Sequence, residues 1–264
     1  MTMLASAGKL VQRDSALTTY LVGIGATALL ILILSFALPK DSEVAVFLLD
    51  HSTKSFFAKI YPFTIQNVMY LMTAVGVADI VVRHAATRRE ERYLHLGLLP
   101  EDDSSILQVE DLGPIRRKVA ALKANDQAFL PQLIDLSILQ LLSSRSLEQT
   151  VEIYTSTLEL MSHRLDLAYQ TLRFLVWVIP TTGFIGTVVG IAISLEGMKD
   201  PKNIEFEKVT SGLAVAFYTT IIALILSAIL VLCQNLIQRR EETTLNRAAF
   251  YCLKNLINRV YTHK

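Results

Sequence analysis

Four long apolar runs, each able to cross a lipid bilayer, constrain this chain more than any other feature of its sequence. The clearest is Thr18 to Leu38, TTYLVGIGATALLILILSFAL, which carries no charge. A hydrocarbon core about 30 Å thick needs roughly 20 helical residues, so this run suffices, and Pro39 stops it. The second run, Tyr61 to Val82, contains Gln66, Asn67 and Asp79 yet keeps spanning length between an aromatic edge and Arg83. Leu172 to Leu195 and Val209 to Leu232 follow, interrupted only by small or hydroxyl residues apart from Arg173 and Pro180. Hydrophobic residues make up 52% of 264, and mean hydropathy is +0.42. The expected fold class is therefore all-α, an integral membrane protein with four transmembrane helices.

Charge fixes the expected orientation. Net charge is only +1, which gives no support for nucleic-acid binding, so the position of each charge matters more than the sum. With four crossings every arginine, among them Arg13, Arg88, Arg116, Arg164 and Arg239, falls on one side, and none lies in 39–60 or 197–208. The positive-inside rule makes that side the cytoplasm and places both termini there. Lys9 and Arg13 are not followed by a short apolar core and a small-residue cleavage site, so the first run is expected to remain as an anchor.

The expected organisation is 1–82 for the N-terminal segment and spans one and two, and 83–170 for a cytoplasmic helical region. Spans three and four occupy 171–235, and a cytoplasmic C-terminal helix 236–264. In DLGPIRRKVAALKAND, Asp111 reads as a helix start with Pro114 in its first turn, and Asn125 with Asp126 as its stop. From Pro131 no glycine or proline occurs before Pro180, which predicts one long amphipathic helix running into span three and a kink at Pro180. No internal repeat or low-complexity linker divides the chain.

Spans three and four each carry a face almost without bulk. Pro180, Gly183, Thr187, Gly190, Ser194 and Gly197 recur at helical steps of three and four; Gly186 and Gly190 form a GxxxG. Gly212, Ala216, Thr220, Ala223 and Ser227 do the same in span four, with Thr219 beside Thr220. Such faces let membrane helices approach closely, which is one reading. The other is a helix-lined pathway where Thr187 and Thr220 offer hydroxyls to water or an ion. Neither stripe holds a carboxylate, and threonine does not titrate at physiological pH, so proton-driven work needs an ionisable group from a partner.

IPTTGFIGTVVGI followed by SGLAVAFYTTIIALILSAIL resembles the two pore-lining helices of the MotA/TolQ/ExbB proton channel family, over about Trp177 to Gln234. The resemblance implies an ion-conducting motor or stator subunit that forms a homo-oligomeric ring, generally a pentamer, in the bacterial inner membrane. The ring would enclose a MotB-, ExbD- or TolR-like dimer of single-span B subunits bearing an intramembrane aspartate. Under it, Thr187 matches the family's threonine after Gly-x-x-Gly, Thr220 its threonine in the last span, and Pro180 its proline at the entrance of span three. Four spans resemble the flagellar-stator branch, whereas the threonine after Gly186 is the ExbB and TolQ pattern. The transported ion is expected to be H+, with Na+ second because the Thr219 and Thr220 pair resembles sodium-using stators.

Other polar residues read more plainly. Asp79 precedes Arg83 by one helical turn, the spacing of a local ion pair. Glu196 ends span three and could draw cations to an outer pore mouth or be a solvated boundary charge. TRREER, Thr87 to Arg92, reads as a solvated face or a contact with anionic lipid. Cys233 and Cys252 read as packing residues. His84, His95 and His163 are not at metal-ligand spacing, and no nucleophile–base pair or phosphate loop occurs, so neither enzyme chemistry nor a cofactor is expected.

Overall fold

The computed structural model describes residues 2–40, 42–51, 61–102, 106–123, 128–200 and 203–261. Its helices are α1 (Thr2–Ala37), α2 (Glu43–Leu49), α3 (Ile65–Leu94), α4 (Val109–Lys123), α5 (Phe129–Ser144), α6 (Leu147–Ala168), α7 (Gln170–Gly197) and α8 (Phe206–Asn255). Among the described residues there is no strand, only one isolated bridge between Leu107 and Val260. Four helical stretches are long and apolar enough to cross a membrane. The protein is an all-α, multi-pass membrane protein.

Where helices begin and end follows local chemistry. The predicted long helix from Pro131 is broken: α5 ends at Ser144, and α6 starts after Ser146. Arg145 takes up the left-handed conformation (φ 50°), and its N–H donates to the Leu141 carbonyl at 3.1 Å. Ser146 Oγ then accepts the Gln149 N–H at 3.4 Å, so a serine cap with glutamine three residues on starts the new helix. A second break falls at Tyr169, whose N–H bonds the Asp166 carbonyl.

α4 begins at Val109, two residues before the expected Asp111, because the Asp111 carboxylate reaches back to the Gln108 N–H at 3.0 Å. Its predicted stop, Asn125 and Asp126, lies outside the described residues. The expected separate C-terminal helix is instead the end of α8, since neither glycine nor proline occurs after Gly212.

The chain divides into two compact units. One, Thr18–Val81 with Gln170–Asn235, contains the most apolar helical stretches. Leu21, Val22, Ile33 and Phe36 of α1 are exposed, as are Phe184, Val188 and Leu195 of α7 and Phe217, Leu224 and Leu232 of α8. In a bilayer such side chains meet lipid or other spans. Inside this unit the Tyr20 hydroxyl donates to buried Asp79 at 2.5 Å, a bond between α1 and α3 that the spacing of Asp79 and Arg83 does not announce.

The other unit, Met1–Leu17 with Val82–Tyr169 and Leu236–Lys264, is a helical body around its own core. Leu112, Leu130, Ile134, Ile138, Cys252 and Leu256 lie fully buried within it. Polar contacts fasten α3 and α8 to this core. Glu91 and Arg240 form a two-pronged ion pair at 3.0 and 2.7 Å, while Glu90 accepts the Phe129 N–H at the start of α5. The TRREER segment thus contributes carboxylates to internal contacts. Arg83 sits 4.3 Å over the Tyr169 ring and 3.8 Å from Glu241, which also accepts the Tyr169 hydroxyl at 2.6 Å.

Candidate functional site: the facing stripes of α7 and α8

The bare faces of α7 and α8 meet each other. Gly183, Gly186 and Gly190 are buried against α8, and Gly212 of α8 is buried against α7. A Cβ at Gly183 would come 2.3 Å from the Ala223 Cβ, and one at Gly186 would come 2.4 Å from Thr219 Oγ1. At Gly190 it would meet the Gly212 carbonyl at 2.4 Å, and at Gly212 the Ser194 hydroxyl at 2.5 Å. Each separation is far inside van der Waals contact, so only hydrogen fits. The space beside these glycines is taken by α8 of the same chain, not left open for a separate helix, as small-residue packing between membrane helices requires.

Hydroxyls bridge the same seam. Thr187 and Thr220 are hydrogen-bonded side chain to side chain, and the Ala216 carbonyl lies 3.2 Å from each hydroxyl oxygen, so it accepts from whichever threonine is not donating to the other. One backbone oxygen of a buried residue thereby serves hydroxyls from two helices. Both threonines remain half-buried, so part of each reaches the surface of the unit. Thr219 differs: it is fully buried, packed into the notch at Gly186, and its hydroxyl donates to the Val215 carbonyl at 2.8 Å. Ser194 Oγ lies 3.0 Å from the Gly190 carbonyl and 2.9 Å from the Val209 carbonyl, which share its one hydroxyl proton and close the Ser194 end of the seam.

Proline and serine form the other end. Pro180 has no N–H, so it leaves the carbonyl of Val176 without its usual helical donor. Ser227 Oγ supplies one from α8 at 3.0 Å. An unmet carbonyl in a bilayer is costly, and a hydroxyl from a neighbouring helix is one of the few remedies. The pairing was hidden in the sequence because Val176 is an apolar residue whose backbone, not side chain, is the partner.

Glu196, at the end of α7, lies 3.6 Å from Lys208, with both side chains partly exposed. Neither stripe contains an acid. Among the described residues no group of three or more His, Cys, Asp or Glu is arranged to hold a metal. The seam therefore offers hydroxyls and carbonyl oxygens, groups that orient water or replace part of an ion's hydration but do not by themselves titrate near neutrality.

Comparison with known proteins agrees with this geometry. No curated protein matches the chain. A family match extends beyond the helices that carry the resemblance, reaching through α5, α6 and most of the tail of α8. Residues 123–249, which hold both facing stripes, match the MotA/TolQ/ExbB proton channel family, and this match supports the resemblance read from the two helices.

Proposed function

We propose that the chain is the ring-forming subunit of an ion-driven motor, conducting protons past a carboxylate carried by a single-span B subunit. The observation that carries this reading is the half-buried Thr187–Thr220 hydroxyl pair, lying within the family-matched segment on stripes that lack any acid. In this mechanism the threonines order water beside the partner's aspartate, lowering the barrier to its protonation and release. Loss and gain of that charge shifts the partner helix inside the ring and turns an ion gradient into mechanical work. The ring is a pentamer of this chain in the bacterial inner membrane, with both termini in the cytoplasm, and no enzymatic step is involved.

The ion is assigned as H+ over Na+. A sodium site needs several oxygens converging on one point, whereas the Thr219 hydroxyl is turned into the α7–α8 seam and bonded to its own helix. Glu196 is assigned to the outer mouth beside Lys208.

A second reading has its own observation: the glycines are filled by α8, so the stripes could serve helix packing alone in a non-conducting scaffold. Proton flux separates the two. Vesicles would carry the chain together with a single-span B subunit that bears an intramembrane aspartate and co-purifies with it, and internal acidification would be followed under an imposed gradient. Thr220→Val should reduce flux at least tenfold while the complex still purifies intact. Full flux in both Thr220→Val and Thr187→Val would sink the assignment of these residues, and no flux from the unsubstituted complex would favour the scaffold.

A further inference from the structure

Two helices of the helical body each bury one side and leave the other exposed with opposite charge. α6 buries Tyr154, Met161 and Leu165, and the tail of α8 buries Leu245, Ala248 and Cys252. On the outer face of the α8 tail, Arg239, Arg247 and Lys254 accompany Leu236 and Phe250, which are 62% and 67% exposed. A cavity of about 700 Å³ opens beside Arg247, Phe250 and Lys254. On α6, Glu148, Glu152, Glu159 and Asp166 follow at steps of four and seven, so they form one exposed acidic stripe.

We propose that the acidic stripe of α6 docks on the basic, Phe250-bearing face of α8 in a second copy of this chain. The proposal rests on the ring reading above, because a closed ring of identical subunits needs two different faces that fit each other head to tail.

Register supports it. Within one chain the Tyr154 hydroxyl donates to the Ala249 carbonyl, and the Tyr169 hydroxyl to Glu241, both at 2.6 Å. Numbers rising past the one helix meet numbers falling on the other, so α6 and the α8 tail run antiparallel. Rotation about a ring axis along these helices preserves their directions, and α6 therefore meets the neighbour's α8 antiparallel as well. Starting Glu152 opposite Lys254 puts Glu159 opposite Arg247 and Asp166 opposite Arg239, in steps of seven against seven and then eight. At a rise of about 1.5 Å per residue, the drift over all three pairs is only about 1.5 Å. Phe250 then faces Ser156, between Glu152 and Glu159, where a large ring can cover a small side chain. Exposed pairs contribute little affinity, so their role is to fix register and exclude other pairings, with Phe250 as the apolar anchor.

Disulfide trapping tests this in the full-length chain. Glu159→Cys and Arg247→Cys would be placed in separate, differently tagged copies, co-expressed in membranes and oxidised. Cys252 is fully buried and its thiol is pushed up to about 12 by burial, so it stays unreactive, and the unsubstituted chain reports any background from Cys233. The expected result is a mixed-tag dimer at least fivefold above that of Arg164→Cys with Arg247→Cys, since Arg164 is exposed on another face of α6. A charge exchange gives independent support: Glu159→Arg alone should lower the recovered oligomer, and Glu159→Arg with Arg247→Glu should restore it. If the detergent particle has the mass of several copies but the two cysteine pairs trap equally, this interface is wrong and the ring stands. A particle with the mass of one copy overturns both.

Discussion

The Ser227 hydroxyl donates at 3.0 Å to the carbonyl oxygen of Val176, the acceptor that Pro180 leaves without its helical donor. Removing the hydroxyl strands that oxygen in a buried, apolar seam. Ser227→Ala should therefore cost about 1 kcal/mol, read as a lower midpoint of detergent-driven unfolding. Pro180→Ala restores a helical donor for the same carbonyl, so the penalty of Ser227→Ala should shrink in that background. Equal penalties in both backgrounds would show that the two residues do not act on one carbonyl.

Gly190 and Gly25 make a paired prediction. A methyl at Gly190 would meet the Gly212 carbonyl at 2.4 Å and the Ala216 nitrogen at 2.6 Å, both backbone atoms that cannot swing aside. Gly190→Ala should push α7 from α8 and destabilise by about 1–3 kcal/mol. Nothing lies within 4 Å of a methyl at Gly25 in α1, so Gly25→Ala should be neutral or stabilise by up to about 1 kcal/mol. Thermal unfolding in one detergent compares them directly, and equal midpoints would count against the packed seam.

Arg145 ends α5 with φ at 50°, a conformation that crowds any side chain. Arg145→Gly relieves the crowding and should stabilise the helical body by about 0.5–1 kcal/mol after the extra freedom of glycine in the unfolded chain is counted. Arg145→Ala keeps the Cβ and should give no such gain. A rise in thermal midpoint with alanine equal to that with glycine would point to the loss of charge instead.

Glu91 gives a pH dependence. Its hydrogen bond with Arg240, and the positive charges of Arg240, Arg247 and Arg88, hold its carboxyl below the ordinary 4.5, against the opposing effect of burial. A carboxylate whose value is lowered by folding contributes in full above its unfolded value and loses that contribution as pH falls through the lower folded one. The thermal midpoints of the native chain and Glu91→Gln should therefore differ above pH 4.5 and converge in more acid buffer. A gap that widens as pH falls would contradict the sign of the effect.

Much of the fold was legible because a bilayer leaves few solutions. Long uncharged runs such as Thr18 to Leu38 must be helices, and helical steps alone put Pro180, Gly183, Thr187 and Gly190 on one face. The α5–α6 break was also written in the chain, as Ser146 followed by Gln149, but the absence of glycine and proline pointed to continuity. The 50-residue α8 was less legible, since the passage from apolar to charged residues after Gln234 looks like a boundary, while backbone hydrogen bonding continues across it.

By itself the sequence determined the all-α class, the long apolar helices, the acid-free stripes and the hydroxyls set along them, since these depend on composition and helical period. Tertiary structure decided what each stripe touches. It placed Thr219 in the notch at Gly186, joined Thr187 to Thr220, gave the Val176 carbonyl to Ser227 and filled the glycine face with α8. Those pairings join residues far apart in the chain, and several use backbone atoms that every residue possesses. No local pattern can specify such a partner; only the close approach of two helices selects it.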